Sequence, residues 1–414
     1  MRRILLATLG ESTGDDAVRT LLPLIAVASL GVGGSLLGVL NALPFLWYLC
    51  AHRQIGAAVD ALGHRRAVLL GNGLRVLTVT TLILLLVTGH LSVLALLVLA
   101  ATIGLGDALF TTGHSSMVPA VVGRERTADC YQRIEGISAV ARVSSPAAVS
   151  ALLRLASPAL ALGLGGAAYL FSLITLATMP HRRSPDANSP ESAEASRSRA
   201  GQRPSPTSRP GWTVRRVLST RGLSHLTLST MLLNSAAMVS GTALVLFALT
   251  TLGLPTSTVA LFTAAGALGA LLGATFSTPL RTRLPTGGAK LCATAGVALS
   301  SLVIPAAFLL PAAQAVTIAV GELLVAACAT ASTIVGSDVP ARLVPQQQLG
   351  RASAAIRLLT IGVMPVTSVL GGLLIAASSP VAALLGAAGL AATACLPLLR
   401  IRRWSPPPPP EEPA

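Results

Sequence analysis

The sequence predicts an all-α membrane protein of about twelve transmembrane helices, arranged as two pseudo-symmetric six-helix bundles. Three observations carry this prediction. The first is composition: 52% of residues are hydrophobic and only 11% charged, with a mean hydropathy of +0.73, whereas a soluble domain carries about 25% charged residues. The second is where the charge lies. Basic residues gather at Arg2-Arg3, Arg53 to Arg66, Arg124 to Arg133, Arg182 to Arg221, Arg281 to Lys290, Arg342 to Arg351 and Arg400 to Arg403, while the intervening connections hold almost none except Arg154. Alternation of this kind is the positive-inside pattern. It predicts a multi-pass protein of the cell membrane with both termini cytoplasmic. The formal charge of +15 therefore reports topology, not a nucleic-acid partner. The third observation is an internal repeat, described below.

The first span poses a length problem. The apolar run from Gly33 to Val59 belongs to the second span, so the first ends near Leu30. Starting after Asp16 it would be about 14 residues, or roughly 21 Å at 1.5 Å per residue, too short to cross. It must start near Ile4 and take Glu11, Asp15, Asp16 and Arg19 into the membrane. At about 100° per residue, these four share one half of the helix with Thr8, Ser12, Thr20 and Pro23. That half must face protein or a water-filled cavity. The opening Met1-Arg-Arg-Ile-Leu-Leu imitates a signal peptide, but the apolar stretch breaks at Glu11 without a convincing cleavage site.

Between the runs Gly33–Val59 and Ala67–Leu91 lies Gly56-Ala-Ala-Val-Asp60-Ala-Leu-Gly63-His-Arg65-Arg66, expected as a tight interfacial turn with Asp60 capping a helix or meeting an Arg. The third span carries Arg75. The fourth, about Leu91 to Val118, sets Asp107, Thr111 and His114 at helical spacing. The fifth, Ile134 to Leu153, contains Arg142, and the sixth runs from about Ala159 to Met179.

Composition then changes. The segment from His181 to Pro210 is rich in Ser, Pro, Arg and Ala without apolar periodicity, as expected of a flexible linker. The chain thus divides into a first bundle at 1–180, a linker at 181–211, a second bundle at 212–403 and a Pro-rich tail at 404–414. Spans seven to twelve are expected at about Leu223–Leu252, Thr258–Leu280, Ala289–Leu310, Ala315–Gly336, Ala352–Ala377 and Val381–Leu399. Arg281 and Arg283 occupy the place after span eight that Arg65 and Arg66 hold after span two. Met117-Val-Pro119-Ala, followed by a polar loop and a helix with Pro146, is echoed by Asp338-Val-Pro340-Ala, a polar loop and a helix with Pro365. Such a repeat marks a transporter built from two like bundles, with its solute site between them.

Charges inside a membrane are costly and functional by default. Asp16 is the foremost candidate for exchanging a coupling proton, because its neighbours one turn away, Ser12 and Thr20, are uncharged. Asp15 comes second, since Arg19 at i+4 is placed to neutralise it. Glu11 lies nearer the helix start. Asp107 is a further candidate, with Arg75, Arg142 or the Gly56–Arg66 stretch as partner. Glu322, isolated in Val-Gly-Glu-Leu-Leu-Val, is either a coupling site or the partner of Arg357. Met231, Asn234 and Met238 share one face of span seven and are candidates to line a cavity, against the alternative of helix packing. Five cysteines without a CxxC pair indicate neither a disulfide framework nor a metal centre. No HExxH, GxSxG or GxxxxGK[ST] pattern occurs, so neither a hydrolase nor an ATP-driven pump is supported, and no cofactor is expected.

The Gly56–Arg66 stretch resembles the signature of the major facilitator superfamily, Gly-x-Leu-Ala-Asp-Arg-x-Gly-Arg-Lys, between its second and third helices. Gly56, Asp60, Gly63, Arg65 and Arg66 fit, while Ala58, Ala61 and His64 depart. The resemblance covers the membrane portion from end to end. It implies a gating role for this loop, with Asp60 holding the start of helix 11 near Gly350 and Arg351 in one state, and a network of Asp107 with Arg65 or Arg66. The Gly14-Asp15 pair and the Val-Pro…Gly-Arg loop before span eleven look like the macrolide and siderophore efflux branch. In the helix-5 region where many drug/proton antiporters carry a Gly-Pro motif, Pro146 remains and the glycines do not. The resemblance implies proton-coupled efflux of a small amphipathic compound by a monomer embedded in lipid. Solute uptake on the same fold, or a non-transporting membrane sensor, are the alternatives.

Overall fold

Every predicted span is helical, and the departures lie at the breaks. The computed structural model describes residues 2–122, 126–179 and 212–407; the expected linker and most of the tail lie outside the described residues. The first half comprises α1 (Arg2–Leu30), α2 (Gly34–Cys50), α3 (His52–Leu62), α4 (His64–Val87), α5 (Val93–Val122), α6 (Thr127–Leu155) and α7 (Pro158–Ala177). The second comprises α8 (Val214–Ser219), α9 (Leu223–Leu246), α10 (Thr256–Arg283), α11 (Thr286–Ser301), α12 (Val303–Ala306), α13 (Gln314–Ile334), α14 (Val339–Leu343), α15 (Gln346–Thr360), α16 (Met364–Ala377), α17 (Pro380–Thr393) and α18 (Cys395–Leu399). Among the described residues, ten helical stretches are long and apolar enough to cross a membrane. Two further helices complete the pattern. α1 runs unbroken for 29 residues but carries Asp15, Asp16 and Arg19, and α2 is apolar but only 17 residues long.

The Gly56–Arg66 stretch corrects the expectation of a turn. Residues up to Leu62 are helical, the turn is Gly63 alone at φ +80°, and α4 begins at His64. A positive φ of this size is open to glycine and strained for a residue with a Cβ. α3 separates from α2 because its own pattern is amphipathic: Ile55 and Val59, one turn apart, bury against Ala67, Ala108 and Leu109. Asp60 is exposed, lies inside α3 rather than at a cap, and has no hydrogen bond among the described residues.

Two other spans are broken, and proline explains both. Pro305 has no N–H for the Ser301 carbonyl, and α11 ends at Ser301. Pro365 has none for the Ile361 carbonyl, which accepts from the Met364 N–H instead at 3.0 Å, so span eleven divides into α15 and α16. Span seven ends in a π-helical turn, Phe247–Thr251. The sequence echo at Pro119 and Pro340 takes two forms: Pro119 lies within α5, whereas Asp338 precedes the separate short α14.

Within the first half, α1 packs on α6 and α7, and α4 on α5 and α7; within the second, α10 packs on α13, α9 on α17 and α11 on α13. The halves meet through α2 on α16 and α6 on α10. Hydrogen bonds cross between them from Asn41 Nδ2 to Thr242 Oγ1 (3.1 Å), from Ser150 Oγ to the Ser257 carbonyl (2.7 Å) and from Ser368 Oγ to the Gly38 carbonyl (2.9 Å). These three lie toward the end remote from Arg2 and Leu399. At the end bearing the chain termini, a Cβ built on Gly56, Gly63 or Gly350 would meet nothing within 4 Å.

Candidate functional site

The polar half of α1 finds its partners inside the first bundle. Arg75 of α4 has 0% exposure and is the hub. Its Nη1 donates to Glu11 Oε1 at 3.1 Å, and its Nη2 donates to Asp107 Oδ1 at 2.6 Å, with Asp15 Oδ1 at 4.0 Å. The guanidinium lies 5.2 Å from the ring centroids of both Phe110 and Tyr169, which suits a cation–π contact in a dry interior. Tyr169 also donates its hydroxyl to Asp15 Oδ1 at 3.3 Å, and Thr111 donates to Asp107 Oδ1 at 3.4 Å. Arg19 closes the network, 2.9 Å from Asp15 and 3.7 Å from Asp107.

The carboxylates of Glu11, Asp15 and Asp107 come within 4.8 Å of one another. Three acids this close ordinarily suggest a metal cation. Here the guanidinium of Arg75 already stands among them and supplies the positive charge they hold. The arrangement is an ion network with three carboxylates against two guanidinium groups, so it keeps one negative charge over.

Asp16 stands apart from its three neighbours. It is half-buried, the Thr20 hydroxyl donates to its backbone carbonyl at 2.7 Å, and its carboxylate has no hydrogen bond or ion pair among the described residues. Around it, α1 is tied to α6 by Ser12 and Ser138 at 2.9 Å and by Ser145 Oγ donating to the Thr13 carbonyl at 2.8 Å. These bonds fix the face on which Asp16 sits.

Several expectations are corrected by geometry. Glu11, nearer the helix start, is a direct partner of the buried Arg75. Asp107 takes Arg75 and Arg19, where the family resemblance implied Arg65 or Arg66. Arg65 instead donates to the Ala177 and Met179 carbonyls at 2.7 and 3.2 Å, satisfying carbonyls that the end of α7 leaves open. Arg66 is exposed. Arg142 pairs with Glu135 on its own helix at 3.3 Å. Arg357 is exposed and forms no ion pair with Glu322 among the described residues. Glu322 instead sits half-buried over Gly266 of α10, its Oε2 3.6 Å from where a Cβ would stand. Asn234 donates to the Thr360 carbonyl at 2.8 Å, bracing the break between α15 and α16, and lines a cavity that Met231 and Met238 do not.

Sequence reasoning passed over three buried groups. Asn72 donates to Ser172 Oγ at 2.9 Å, linking α4 to α7. Tyr169 is a lone phenol in an apolar run. Lys290, counted among the loop cations, is 3% exposed and lies within α11. For Asn72 and Tyr169 the available signal was polarity inside a hydrophobic span. For Lys290 it was the apolar run beginning at Ala289.

No curated protein matches the sequence, but solved structures share this architecture. A bacterial homologue of the iron transporter ferroportin in an inward-facing state is similar at a TM-score of 0.73 and 16% identity, over 96% of this chain and 97% of that one. A POT family transporter in complex with a thioalcohol-conjugated peptide is similar at 0.71 and 13% identity, over 96% and 95%. The nucleoside transporter NupG is similar at 0.69 and 11% identity, over 97% and 99%. At these identities the likeness is one of fold. The sequence itself matches the profile of the Major Facilitator Superfamily across residues 4–314, and with the two-bundle architecture described above, the chain belongs to that superfamily.

Proposed function

We propose that this transporter exports a small amphipathic compound, of drug, antibiotic or siderophore-like character, in exchange for protons. It works by alternating access in the cell membrane, as a monomer with both termini cytoplasmic. The observation that carries the coupling is the contrast within α1: Glu11 and Asp15 are committed to arginines, while Asp16 keeps an uncommitted carboxylate in a half-buried position. Asp16 is the coupling acid, and the Arg75 network fixes the helix that presents it. With the termini cytoplasmic, alternating access exchanges an inward-open state, open to the cytoplasm, for an outward-open one. Binding or loss of a proton at Asp16 biases one against the other. The basic residues that recur at the terminal end support the orientation. The Gly14-Asp15 pair and the loop before α15 support the efflux branch.

The test uses the purified protein in liposomes under an imposed pH gradient. Since the similar structures are named for iron, nucleosides and peptides, the panel spans amphipathic organic compounds together with representatives of those classes. The expected result is movement of an amphipathic compound against its gradient, opposite in direction to the proton flow. Movement together with protons indicates uptake, and absence of flux for any compound indicates a sensor; either result removes the export reading.

A further inference from the structure

We propose that the second bundle holds a small monovalent inorganic anion, of the size of chloride, in a cavity beside Lys290. A cation inside the membrane portion needs a counter-charge, and Lys290, at 3% exposure, has only part of one. Its Nζ donates to the Ser332 carbonyl at 2.7 Å, two residues before α13 ends at Ile334. That helix end carries roughly half an elementary charge, and an ammonium has three N–H bonds to place. No carboxylate pairs with Lys290 among the described residues. Asp338, the acid that follows this helix end in the chain, is taken by Arg342 at 2.8 Å and Arg281 at 3.5 Å.

Beside the ammonium is a cavity of about 90 Å³, whose polar wall includes Thr230, Asn234, Ser240, Ser332 and Thr333. Thr230 and Thr333 already donate to the Leu226 and Ala329 carbonyls at 3.0 and 2.9 Å, and Ser332 Oγ pairs with Thr294 Oγ1 at 3.0 Å. Asn234 has committed one N–H to Thr360. That leaves its second N–H and the Ser240 hydroxyl, without a bond among the described residues, to donate to an anion beside the ammonium. A water needs about 10–15 Å³ of such space, so the volume admits a small ion with its residual hydration. Organic ligands occupy about 300–1,000 Å³, which excludes most of them here. Every lining residue comes from α9, α11, α13 or α17, all within one bundle. With its walls supplied by one bundle, the site would hold its ion as a resident of that bundle.

The experiment follows the melting temperature of the full chain in detergent as chloride replaces gluconate at constant ionic strength, for wild type, Lys290→Met and Lys290→Arg. The expected outcome is a saturable upward shift in wild type, its loss in Lys290→Met and its retention in Lys290→Arg. Crystals of the wild type grown in bromide give a reading that does not depend on any variant folding: an anomalous peak within hydrogen-bond reach of Lys290 Nζ. A wild type that does not distinguish chloride from gluconate overturns the proposal. So does a Lys290→Met protein that responds as wild type does, or bromide crystals in which only water stands beside Nζ.

Discussion

Arg75 holds together side chains from three helices. It contributes from α4, Glu11 comes from α1 and Asp107 from α5, and no water-exposed surface remains on the guanidinium. Breaking such a buried network by removing one partner costs about 3–5 kcal/mol, because the charges left behind have nowhere to go. Arg75→Met should lower stability by about that amount, measured by denaturation of the detergent-solubilised protein. Adding Glu11→Gln and Asp107→Asn to it should recover most of the loss, since no charge is then left alone. An Arg75→Met protein within about 1 kcal/mol of wild type contradicts the network. The sequence announced part of this. Asp15 and Arg19 were legible as a pair from their spacing of four along one helix. The partner of Asp107 was narrowed to Arg75, Arg142 or the Gly56–Arg66 stretch, of which Arg75 is the one found. The choice was not legible, because helical periodicity orders residues along one element and is silent on which elements touch. The burial of Lys290, which stood both in a basic cluster and at the start of span nine, was not legible for a related reason: a basic residue near a span end reads as a loop residue until the neighbouring helix end that it caps is known.

Among elements, the sequence foretold where helices run better than where they break. The span limits follow from apolar runs bounded by charge, and most agree within a few residues. The breaks before Pro305 and Pro365 were missed because other prolines, such as Pro119 and Pro146, sit inside unbroken helices. The contact between α2 and α16 was likewise invisible, although small residues drive it. Gly34 and Gly38 on one helix face Ser368 and Gly372 on the other, and a Cβ on Gly38 would come within 2.9 Å of the Gly372 Cα. Backbones approach this closely only where side chains are absent. Gly38→Leu should therefore wedge the halves apart at this contact and rock them toward one another at the end bearing the chain termini. Spin labels at positions 62 and 351, one in each half at that end, report the change. The expected result is a population with a shorter label-to-label distance than in wild type. An unchanged distance distribution would show that this contact does not hold the observed state.

On the scale of the whole molecule, composition, the alternation of charge and the internal repeat were enough to indicate a two-bundle membrane protein, and the superfamily profile and the fold bear this out. These signals survive because a bilayer imposes one length and one polarity on every span. What the chain carries is set by a few side chains facing the gap between halves, and their chemistry depends on which of them are already engaged. Asp16 is the one acid of its cluster whose carboxylate is uncommitted among the described residues. The most direct measurement of its role compares wild type, Asp16→Asn and Asp15→Asn in liposomes, under two conditions: uphill accumulation driven by a pH gradient, and exchange of labelled for unlabelled solute without one. Exchange needs no net proton movement. Asp16→Asn should lose accumulation and keep exchange, whereas Asp15→Asn, which strips Arg19 of its nearest partner, should show its defect first in yield and stability. Uphill accumulation by Asp16→Asn at the wild-type rate would contradict this assignment and move the coupling proton to Asp107 or Glu322.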